Sequence, residues 1–262
     1  MDRRQLLSTI VAAGLGVAAG VVPDVWHSVS GNLPGKPSEP MAAPTPTPPP
    51  DPGYVPADQL KAAVNPIKSL RDLTPAAPPN AVALTIDDGP HPYWTPMVLD
   101  VLAEFEIPAT FNMIGEQVPE NTQVVQRIVA AGHQIANHTM THPLNLPNLS
   151  AQEIEREITE THDRIAQACS VAPRFFRAPG GAWSQQVVDI AAAHKMICVH
   201  WGVDPRDWAR PGAAQITGAL QQAQAGDILL IHDGGGDRAQ TVEALRTVLP
   251  TLKQRGFSFV AL

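Results

Sequence analysis

Two adjacent carboxylates, Asp87 and Asp88, end an apolar run of strand character, Ala81-Val82-Ala83-Leu84-Thr85-Ile86, and precede the turn signal Gly89-Pro90. Successive strand residues point to opposite faces, so the sequence predicts different jobs for the two acids. Like charges this close repel, which raises a pKa unless a cation or base sits between them. Further on, His138-Thr139-Met140-Thr141-His142-Pro143 places two imidazoles four residues apart. They can converge on one metal if the segment makes a helical turn, and Pro143 predicts an extended His142 that ends the turn. With Asp88 as third ligand the set is two imidazoles and one carboxylate. Such a set leaves positions for water and substrate, as a catalytic site requires. It suits one divalent metal: Zn²⁺ first, with Co²⁺, Ni²⁺ and Fe²⁺ also accepting these ligands.

Three later strand-like segments also end in polar residues: Arg177-Ala178-Pro179-Gly180-Gly181, Asp204-Pro205-Arg206-Asp207-Trp208 with Trp201 just before, and Leu230-Ile231-His232. Each has a plain structural explanation when taken alone: a turn beside a salt bridge, a loop with a buried tryptophan, a satisfied histidine. The run Asp233-Gly234-Gly235-Gly236-Asp237-Arg238 is glycine-rich but lacks the Lys-Ser/Thr ending of a phosphate-binding loop, and reads as a substrate-side loop. No G-x-S-x-G elbow occurs, so a serine nucleophile is unsupported.

Taken together and in order, these five segments resemble the motifs of the polysaccharide deacetylase family (NodB homology domain, carbohydrate esterase family 4), across residues 80 to 262. The resemblance implies a metal-dependent deacetylase of an N-acetylated polysaccharide, with peptidoglycan or a chitin-like N-acetylglucosamine polymer leading. It implies Asp88, His138 and His142 as metal ligands and Asp87 as catalytic base, oriented by Arg177. It implies the Gly180 N–H as oxyanion donor and His232 as general acid, paired with Asp204. Leu230 would line the acetyl pocket and Trp208 would wall the groove. An aromatic residue commonly stands where Gly180 is, so the sugar platform must come from elsewhere: Trp183, Trp208, Tyr93 or Trp94. His91 would sit at the cleft rim. An O-acetyl esterase on the same scaffold and a catalytically silent carbohydrate-binding module remain as alternatives; retention of Asp87 and His232 speaks against the second.

The elements that must position these residues alternate. Strand character falls at 82–86, 109–114, 134–137, 174–177, 196–200, 227–231 and 257–261, with helical periodicity at 96–105, 121–131, 150–168, 184–193, 213–224 and 241–254. Alternation argues for an α/β fold with a parallel sheet and helices outside. By resemblance it is a distorted (β/α) barrel with about seven parallel strands and the motifs at strand ends.

The chain has 262 residues, enough for one such domain with appendages. Residues 1–79 carry six basic and six acidic residues, so the net charge of −7 falls on residues 80–262. That excludes the basic footprint of a nucleic-acid binder. Arg3-Arg4 before an uncharged run from Gln5 to Val22 reads as an export signal over 1–32, of twin-arginine type, or as an uncleaved anchor, the one route to a membrane. Ten prolines between Leu33 and Pro56 read as an extended spacer, and residues 57–79 as a strap; together 33–79 form a linker. The two cysteines, Cys169 and Cys198, could pair in an exported protein. The chain is expected to act as a monomer.

Overall fold

The computed structural model describes residues 52–262. The expected export signal and the expected spacer, up to residue 51, lie outside the described residues. The strap forms a short antiparallel ribbon, β1 (Lys61–Ala62) with β2 (Leu73–Thr74). It buries Leu60, Ile67, Leu70 and Leu73 in one cluster with Phe175, Val199 and Ile228. Each such side chain contributes roughly 1.5–3 kcal/mol when fully buried. Ser69 Oγ and Arg71 NH2 also donate to Gly226 O and Ala225 O, so polar contacts anchor the strap too.

Seven parallel strands follow: β3 (Ala81–Gly89), β4 (Thr110–Met113), β5 (Gln134–Asn137), β6 (Phe175–Phe176), β7 (Ile197–Cys198), β8 (Ile228–His232) and β9 (Ser258–Val260). Their order is β7-β6-β5-β4-β3-β8, with β9 also on β3. The sheet curls into a half-barrel. Between its edges, isolated bridges pair Ile67 with Val199 and Val203 with Leu229. The helices are α1 (Trp94–Glu104), α2 (Thr122–Ala130), α3 (Ala151–Cys169), α4 (Gln185–Ala193), α5 (Ala213–Leu220) and α6 (Ala239–Gln254). Ser150 caps α3 in a reciprocal box with Glu153, as the sequence predicts.

Several strands are shorter than the sequence predicts. Only two residues each of 174–177 and 196–200 keep ladder pairing, because the chain bends away to carry the motif loops. β3 is instead longer and runs through both carboxylates. It is central, flanked by β4 and β8, and buried on both faces as a parallel strand must be. Cys169 and Cys198 are both free. Cys198 lies buried on β7, where burial pushes its thiol up to about 12, and Cys169 ends α3, so they act as small packing residues rather than a bridge.

Candidate active site

The site is built at the C-terminal ends of these strands. β3 pairs Asp87 with Asn112 and then Gly89 with Met113, so Asp88 is the extra residue of a bulge, with φ 75. The bulge overrides strict alternation: both acids line one cleft of about 440 Å³. The His138–His142 segment is not a helical turn. Thr139 and His142 have φ 67 and 59, so His142 is left-handed rather than extended. Glu157 of α3 fixes this loop by accepting from Met140 N, Thr141 N and Thr141 Oγ1 at 2.7–2.8 Å.

Asp88, His138 and His142 offer ligand atoms that all lie within 4.8 Å of one another. Asp88 Oδ1 is 3.2 Å from His142 Nε2 and 3.5 Å from His138 Nε2, yet it is buried without a directed hydrogen bond. Carboxylate and imidazoles thus aim at a shared point rather than at one another, which fits a divalent cation. His138 Nδ1 lies 2.8 Å from Arg177 O; donation there leaves the Nε2 lone pair for the cation. Burial pushes the Asp88 carboxyl up, but the two imidazoles, with His232, overcome it and hold it well below the usual carboxylate range.

Asp87 Oδ1 accepts from Arg177 NH1 and Asn112 Nδ2, each at 2.7 Å. Arg177 is fully buried and also donates to Thr85 Oγ1, Val199 O and His200 O. Its fork therefore has one orientation, and Asp87 Oδ2 is the atom left facing the cleft. His232 ends β8 opposite Asp87.

The partner of His232 is Asp207, not Asp204. Asp207 Oδ1 lies 2.7 Å from His232 Nδ1, and Oδ2 accepts from His232 N and Thr241 Oγ1. Asp204 is exposed on the cleft rim and accepts from Arg206 N at 2.7 Å, closing its own turn. Burial works to lower the His232 pKa, but the hydrogen bond and charge of Asp207, with Asp87 and Asp88, leave it raised.

Leu230, Trp208 and Gly180 line the cleft as anticipated. Gly180 has φ 60, and a Cβ there would meet Leu144 Cδ2 at 3.3 Å. Trp183 does not reach the cleft; it packs edge-on against Phe176 at 5.8 Å. Tyr93, Trp94 and His91 are outside it as well, and His91 Nδ1 caps the start of α1 by accepting from the Tyr93 and Trp94 N–H groups. The cleft also includes Trp201, which the sequence reading noted beside the fourth motif, Arg238, from the run it read as a substrate-side loop, and Leu144, which it left aside; Asn112 supports the cleft from β4. Asn112 carries a signal of its own: it is a polar residue in an apolar strand next to the Asp87 strand.

The chain is similar to several known proteins. A family model described as polysaccharide deacetylase matches residues 74–199. A chitooligosaccharide deacetylase of Sinorhizobium fredii is 46% identical over 189 residues, covering 68% of this chain and 87% of the relative. A peptidoglycan-N-acetylglucosamine deacetylase of Bacillus cereus is 42% identical over 182 residues, covering 68% and 84%. The crystal structure of a peptidoglycan N-acetylglucosamine deacetylase superposes with a TM-score of 0.68 at 35% identity, covering 71% of this chain and 88% of that one.

Proposed function

The chain belongs to the polysaccharide deacetylase family, and from that premise we propose that its cleft hydrolyses the N-acetyl amide of an N-acetylglucosamine polymer of the cell wall or extracellular space. The products are acetate and a free sugar amine. The carrying observation is that a base, an acid and a three-ligand cation set converge in one cleft. Asp88, His138 and His142 would hold a divalent cation, which would supply Lewis-acid chemistry to a carbonyl and to water when bound. Zinc is the cation this ligand set favours.

Asp87 accepts the proton of the attacking water at Oδ2, since Oδ1 is taken by Arg177 and Asn112. His232 holds a proton at Nδ1 against Asp207 and presents Nε2 to the leaving amine. The Gly180 N–H donates to the developing oxyanion, a contact of the kind worth about 3 kcal/mol of barrier. Leu230 packs on the acetyl methyl, and Trp208 offers its exposed face to the sugar. One chain supplies every one of these groups, in keeping with a monomer. Arg3-Arg4 and the apolar run behind it support action after export.

The test measures metal content and acetate release together. Asp88→Asn, His138→Ala and His142→Ala should each lower bound zinc after dialysis. The wild type should release acetate from chitooligosaccharides or peptidoglycan. Release from acetylxylan alone would assign an O-acetyl esterase instead, and release from none of the three, with zinc bound, would leave a binding module.

A further inference from the structure

Arg238 is 3% exposed and forms part of the cleft wall. It ends the glycine-rich run after β8, a segment the reaction steps above leave without a task. Its Nε donates to Gly234 O at 2.7 Å, and its NH1 to Trp208 O at 3.4 Å. Among the described residues its NH2 makes no hydrogen bond and no carboxylate forms an ion pair with it. Arg177, the other arginine buried beside the cleft, is paired with Asp87. A buried guanidinium without an ion-pair partner is costly, so one facing a substrate cleft favours an anionic partner there.

The free NH2 is reachable. A Cβ at Gly235 would stand 3.3 Å from Arg238 NH2 and 3.2 Å from Asp88 Oδ2. One point of the wall thus lies between the arginine and the metal-ligand carboxylate, and the missing side chain of Gly235 leaves it open. Gly235 is itself exposed and has φ 70, a backbone angle at which a side chain would be strained. Asp88 borders the same point through Oδ2 without forming an ion pair with Arg238, while its Oδ1 is the atom aimed with His138 and His142 at the cation position.

We propose that Arg238 binds a carboxylate carried by the glycan itself, beside the N-acetyl group being hydrolysed. The preferred substrate class is then an acidic N-acetylated glycan, such as a peptidoglycan strand whose lactyl-ether carboxyls are free of stem peptide, rather than a neutral chitin-like oligomer. This rests on the deacetylase function above and narrows its substrate. Guanidinium and carboxylate are complementary planar groups, and their charge-assisted hydrogen bonds are among the stronger ones. The formal net charge of −7 makes long-range steering unfavourable for an anionic glycan, so the preference must be made locally.

Two oligomers identical except for the free acid or its methylamide provide the test. Both Kd and kcat/KM are measured for the wild type, Arg238→Gln and Arg238→Lys. The wild type should favour the free acid by about tenfold, Arg238→Gln should bring the ratio close to one, and Arg238→Lys should fall between. A wild-type ratio of one overturns the proposal even if the variants misfold. A ratio that survives Arg238→Gln overturns it as well. If the ratio stays fixed but inhibition by added acetate weakens in Arg238→Gln, the arginine holds released acetate and the proposal falls. If the wild type hydrolyses neither oligomer, the deacetylase function is wrong, while the Kd ratio still decides the carboxylate preference.

Discussion

His232 Nδ1 lies 2.7 Å from Asp207 Oδ1, and the Asp207 carboxylate is fully engaged by His232 and Thr241. One buried acid therefore sets the ring orientation of His232, chooses which nitrogen carries the proton and raises the imidazole pKa.

The alkaline limb of the pH–rate profile follows from that pair. The acid works while His232 is protonated, so activity falls as pH rises through its raised pKa. Asp207→Asn removes the charge that raises it, and the alkaline fall should move to lower pH. Asp204→Asn should leave the limb in place. A shift caused by Asp204→Asn alone would restore the pairing expected from sequence.

Asp87→Asn should keep bound zinc and lose activity by about 10²–10⁴-fold. The amide retains the shape and can still meet Arg177, but it cannot take a proton from water. Zinc content by mass spectrometry and acetate release on one sample separate the two effects. Near-wild-type turnover would require another base.

Trp208 and Trp183 should separate cleanly. Trp208 is 47% exposed and lines the cleft, so Trp208→Ala should raise KM for a polymer more than for a short oligomer. Trp183 packs against Phe176 away from the cleft, so Trp183→Ala should cost on the order of 2 kcal/mol of stability with little change in KM. Urea denaturation and polymer kinetics on both variants check this; a KM effect at Trp183 contradicts it.

His133 links stability to pH. It is buried beside Phe111, accepts from Ala109 N through Nδ1, and burial lowers its pKa to about 4. The folded state thus holds it neutral while the unfolded chain protonates near pH 6.5. Its contribution is complete above pH 6.5 and is lost as pH falls toward 4, by up to about 3 kcal/mol. In His133→Asn the amide oxygen can replace Nδ1 without titrating. The unfolding free energy of the wild type relative to this variant should therefore fall between pH 7.5 and 4.5. A difference that does not change with pH would refute the assignment.

The sequence by itself determined the element order and most of the site. Alternating strand and helix periods, the acids after Ile86, the two histidines before Pro143 and His232 closing its strand are local patterns, and local patterns survive folding. Tertiary structure decided which neighbours each group meets. Strand alternation put Asp87 and Asp88 on opposite faces; only the mismatch with Asn112 and Met113 of β4 makes Asp88 a bulge and turns it into the cleft. The His138–His142 spacing suggests a helical turn, but Glu157, on the helix that follows, ties the loop into another shape. Asp204 and Asp207 share one loop and one chemistry. Left-handed Arg206 and Arg210, with the Thr241 hydroxyl arriving from α6, bury the second acid and leave the first in solvent. Spacing along a chain cannot distinguish two such acids, because burial is set by residues far away in sequence.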